Sequence, residues 1–129
     1  MEKEFCTYTQ ALALKELGFN EKGFMSYDKE GHLGYVMDTE RFYKYSEDPL
    51  AITPIWAPTY SQAFRFFREK YNRLHTVNID LSNNLKDKVF IYTIEDHLGS
   101  IVDRSEEYKT YEEAESACLN KLIEIVKNK

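Results

Sequence analysis

One short phrase occurs three times in the chain: Thr7-Tyr8-Thr9-Gln10-Ala11, Thr59-Tyr60-Ser61-Gln62-Ala63 and Thr110-Tyr111-Glu112-Glu113-Ala114, with starts 52 and 51 residues apart. Each copy has the form of a helix N-terminus. A threonine hydroxyl accepts from an orphan backbone N–H, and a Gln or Glu three residues on reaches back to the threonine amide. The spacing predicts helices over about 8–17, 59–71 and 110–127, with room for strands between them. Residues 1–129 then read as a single α+β domain. Its sheet is expected to be antiparallel, of about four to six strands, with the three helices packed mainly on one face.

The helix interiors agree with their starts. Ala11, Leu14 and Leu17 form a stripe that Gly18 ends. Tyr60, Ala63, Phe64, Phe67 and Tyr71 recur at helical spacing, with Arg65, Arg68, Glu69 and Lys70 mostly on the other side. Pro58, before the second threonine, favours a boundary there. Tyr111, Ala114, Cys118, Leu122 and Ile125 form the third stripe, with acids in its first turn and Lys127 near its end, the order that a helix dipole favours.

Between the helices the period falls towards two. Strands are expected over about 23–28, 33–38, 41–45, 74–81, 88–95 and 99–103, with Val89–Ile94 the richest in β-branched and aromatic residues. Shifting the chain on itself by 65 residues lays Phe24–Lys44 over Val89–Lys109, with eight of 21 positions identical, His32-Leu33-Gly34 over His97-Leu98-Gly99 among them. This suggests duplication of a hairpin–helix unit. The alternative is that turns and helix caps reuse a small vocabulary.

The totals exclude more than they assign. Hydrophobic content of 43% with 19 aromatic residues fits a folded globule. A net charge of −5 weighs against broad nucleic-acid binding. Cys6 and Cys118 have neither metal-ligand spacing nor the number for a disulfide framework, and reduced thiols are expected. Met1-Glu2-Lys3-Glu4 opens no apolar run, and no stretch has the length of a membrane span, so a cytoplasmic protein is expected.

Few residues carry recognisable chemistry. His32 and His97 occur in related turns, each two residues after a glutamate, Glu30 and Glu95. Brought together, the four would suit a divalent metal; solvated turn histidines are the ordinary alternative. Cys6 precedes a helix start, but no base is identifiable for a nucleophile. The acids between Asp103 and Glu115 read most simply as a solvated surface with helix-start carboxylates. Arg65, Arg68, Lys70 and Arg73 make a local basic patch. Ile55 and Trp56, in a proline-punctuated apolar segment, are either partner anchors or part of a strap over the core. No catalytic set and no cofactor are expected.

Phe5–Phe19, Ala57–Tyr71 and the run from Tyr111-Glu112-Glu113-Ala114 to Val126 resemble small hypothetical proteins of Bacteroidales gut bacteria and their phages. The resemblance implies a phage or mobile-element setting. No activity or catalytic residue comes with it. The function expected is therefore that of a non-catalytic binding or accessory protein acting through protein contacts, with itself as a candidate partner. The alternatives are a metal or enzymatic site at His32 and His97, and a nucleic-acid accessory role for the basic helix. Of these partners nucleic acid is expected least, and a membrane is not expected.

Overall fold

A computed structural model describes residues 4–21, 23, 25–28, 30–35, 55–80 and 88–128. The strand expected at about 41–45, and the apolar segment before Ile55, lie outside the described residues. The chain is α+β and divides into two compact units, Met1–Thr59 and Tyr60–Lys129.

The first unit contains α1 (Tyr8–Glu16), β1 (Met25–Tyr27), β2 (Leu33–Tyr35) and β3 (Ile55–Trp56). A full capping box opens α1: the Thr7 hydroxyl accepts from Gln10 N–H at 3.2 Å, and the Gln10 side-chain oxygen accepts from Thr7 N–H at 2.9 Å. At its other end Gly18 adopts φ 100°, Gly18 N–H donates to Lys15 C=O and Phe19 N–H to Leu14 C=O. That is a Schellman ending, completed by two buried apolar residues, Leu14 and Phe19. The sheet order is β2-β1-β3, all antiparallel, and α1 packs against β3.

The second unit contains α2 (Tyr60–Tyr71), β4 (Leu74–Asp80), β5 (Val89–Glu95), β6 (Ile101–Arg104) and α3 (Tyr111–Lys127). The Thr110 hydroxyl accepts from Glu113 N–H at 3.1 Å at the start of α3. Asn72, at φ 54°, turns the chain out of α2 into β4. The order is β4-β5-β6, antiparallel throughout, with a register shift between Ile94 and Glu95. Helix α3 packs on β5 and β4, and α2 packs on α3 and β4. Among the described residues, no helix is long and apolar enough to cross a membrane.

Two expectations are corrected. Among the described residues, the single sheet of four to six strands is replaced by two sheets of three, because Ile55 and Trp56 pair with Tyr27 and Ser26 and join a separate sheet in the first unit. Accordingly, two helices pack beside the second sheet, and α1 packs with the first. The duplication does not fit either. In the first sheet the third strand follows the hairpin in sequence, whereas in the second it precedes it. Moreover, the turns superpose by their hydrogen bonds at an offset of 68 residues, Asp28 on Asp96 and Gly31 on Gly99, not at 65. The likeness is that of a shared turn type.

Candidate functional site

Both hairpin turns are built by an aspartate and a glycine. Asp28 Oδ1 accepts from Glu30 N–H and His32 N–H, each at 2.9 Å, and Gly31 takes φ 85°. Asp96 Oδ1 accepts from Leu98 N–H at 2.9 Å and Ser100 N–H at 3.0 Å, and Gly99 takes φ 81°. These bonds, with His32 and Ser100 the largest contributors respectively, hold both carboxyls below their ordinary range. In this register His32 follows its glycine, while His97 precedes its own.

In the first turn His32 Nδ1 lies 3.4 Å from Asp28 and 3.5 Å from Glu30, and all three side chains are exposed. One oxygen of Asp28 is already committed to two backbone donors. When protonated, the imidazole ion-pairs the carboxylates of its own turn. Glu95 and His97 belong to the other hairpin, in the second unit.

Neither cysteine is placed for nucleophilic chemistry. Cys6 is buried, with its amide bonded to Pro58 C=O and its carbonyl accepting from the Tyr27 hydroxyl. Cys118 is fully buried on α3, and loss of hydration pushes its thiol up to about 12. Ile55 and Trp56 are half-buried in β3.

The second sheet has two unlike faces, and register decides which residue joins which. Pairing of His75 with Ile94, Val77 with Tyr92 and Ile79 with Phe90 puts these six on one side. There, His75 stacks on Phe64 of α2 at 3.6 Å and 11°, and Phe90 meets Tyr111 of α3 edge-on. Burial first, and the Arg68 charge second, lower the His75 pKa to about 4. The Tyr92 hydroxyl donates to Asp103 Oδ2 at 3.0 Å, and its ring stacks on Tyr108. Burial, then the bond to Asp103, raise the Tyr92 phenol far above its ordinary range. This pair was not visible in the sequence, since it depends on cross-strand register at a bulge.

The opposite side carries Leu74, Thr76 and Asn78 of β4, Ile91, Thr93 and Glu95 of β5, and Ile101 and Arg104 of β6. Thr76 and Thr93 hydrogen-bond through their hydroxyls. Leu74, Glu95 and Ile101 form one row across the strands, with Val102 at the register shift and Leu98 in the adjoining turn. Leu98 and Ile101 are 77% and 62% exposed, and Leu74 and Val102 are exposed as well. Leu74 and Ile101 therefore meet solvent at one end of this face, with exposed Leu98 and Val102 close in sequence to Ile101. Alternation along Leu74–Asp80 hinted at two faces, but the apolar end came from register.

Helix α2 holds Arg65, Arg68 and Lys70 exposed, and Arg73, just beyond it, half-buried. No family model, curated protein or solved structure matches the chain.

Proposed function

We propose that the chain is a non-catalytic binding protein that acts through protein contacts made by the open face of its second sheet, first of all with a second copy of itself. The observation that supports this reading is the exposed row of Leu74 and Ile101 on the side opposite α3, with exposed Leu98 and Val102 close in sequence to Ile101. Grouped exposed aliphatic side chains are uncommon on monomers and recur at interfaces. Glu95 and Arg104 lie on the same face and supply charges of both signs to a self-complementary contact. The resemblance of the three helix blocks to small hypothetical proteins of gut Bacteroidales and their phages suggests a phage or mobile-element setting and carries no activity with it. Sedimentation of the full chain over a range of concentrations tests the reading. Concentration-dependent dimerisation that Ile101→Lys abolishes is expected; a monomer at every concentration contradicts it.

A further inference from the structure

A partner that covers both Leu74 and Ile101 must also cover Glu95, which stands between them in the same row. A carboxylate taken out of water without a cation is costly, so a purely apolar partner fits this face poorly. The face carries a cation of its own. On β5 and β6 four side chains make a patch of two rows, Glu95 beside Ile101 and Thr93 beside Arg104. The opposite charges therefore occupy one diagonal, and Ile101 with Thr93 the other. Ile101 and Arg104 are exposed, and Glu95 is half-exposed. Among the described residues, neither Glu95 nor Arg104 is in an ion pair.

Symmetry limits how two such patches can meet face to face, because a twofold axis lying between them exchanges positions in pairs. An axis along the strands sets Glu95 on isoleucine, and an axis across them sets it on threonine. An axis along the Glu95–Arg104 diagonal sets each charge on its own like. Only an axis along the Ile101–Thr93 diagonal exchanges the two charged corners, and side chains as long as these take up the remaining offset. That axis also lays Ile101 on Ile101, where apolar surface leaves water. We propose that the self-association put forward above, on which this inference rests, is set in register by each copy's Glu95 pairing with the partner's Arg104 about that axis. The two charge pairs make the contact selective for a second copy of this chain, since one copy supplies both charges at the spacing that the other needs.

The test is sedimentation equilibrium of the full chain, of Glu95→Arg, of Arg104→Glu and of an equimolar mixture of the two variants. Each variant alone brings like charges together at both pairs and is expected to weaken self-association at least about tenfold. In the mixture each chain supplies the charge that the other lacks, so association is expected to return to near the parent's. The double variant, with both substitutions in one chain, is expected to associate by itself. Circular dichroism checks that every variant is folded. A parent chain that is monomeric throughout removes the self-association and this arrangement with it. A parent that associates while either single variant does so equally well leaves the open-face reading standing and overturns the pairing. A mixture that associates no better than its components overturns the pairing in the same way.

Discussion

The two faces of the β4–β5–β6 sheet have the same backbone and the same strands, yet opposite duties. On the covered face Ile94 is fully buried and Tyr92 nearly so, with α3 packed above them. On the open face Ile101 is mostly in water. Hydrophobic burial is paid for only where the side chain leaves solvent, so the covered face holds the unit together and the open face adds little to its stability. An aliphatic residue kept in water without a structural return is the residue to examine for binding.

The contrast is sharpest between two isoleucines. Ile94→Ala should cost about 2–5 kcal/mol in chemical denaturation, from lost transfer energy plus the cavity left behind. Ile101→Ala should change stability by less than about 0.5 kcal/mol. Similar losses at both positions would erase the distinction between the faces.

Next in size is the polar pair under α3. Tyr92→Phe removes the donor to Asp103 and should destabilise by about 1–3 kcal/mol, because a partly buried carboxylate loses its partner. A neutral result in the same denaturation assay would mean that Asp103 is satisfied by water.

The covered face also has an acid limit. His75 is neutral in the folded state, with its pKa lowered to about 4, whereas the unfolded imidazole takes up a proton near 6.5. The folded state therefore binds fewer protons, and the stability it gains is complete above about pH 6.5 and declines from there towards about pH 4. His75→Phe should flatten the part of a thermal-melt profile that lies between those values. An unchanged slope would show that the ring is solvated.

The finest comparison belongs to the turns. Gly31 and Gly99 both have positive φ, so alanine should cost about 1–2 kcal/mol at each. A Cβ at Gly31 would also meet the Tyr8 ring at 3.3 Å, whereas nothing lies within 4 Å at Gly99. Gly31→Ala should therefore be the worse of the two by a few tenths of a kcal/mol, in thermal melts of both variants.

What could be read in advance was local. Thr7 with Gln10, and Thr110 with Glu113, bond across three residues, so their chemistry is written in adjacent letters. Gly18 ends α1 for the same reason. The division into two sheets was not legible, because it rests on Ile55 and Trp56 meeting β1, about 30 residues upstream, rather than β4. The apparent repeat misled through composition: His32 and His97 match as letters, but the aspartate bonds set the turn register three residues away from that match. The open apolar row is not legible in the sequence, because Leu74 and Ile101 are neighbours only through Glu95 on the strand between them.

Sedimentation equilibrium of the unmodified chain beside Ile101→Lys addresses the central claim most directly. Self-association of the former, and a monomer of unaltered stability for the latter, are the predicted results. A parent protein that stays monomeric, or a lysine variant that associates just as well, would contradict the assignment of the open face to binding.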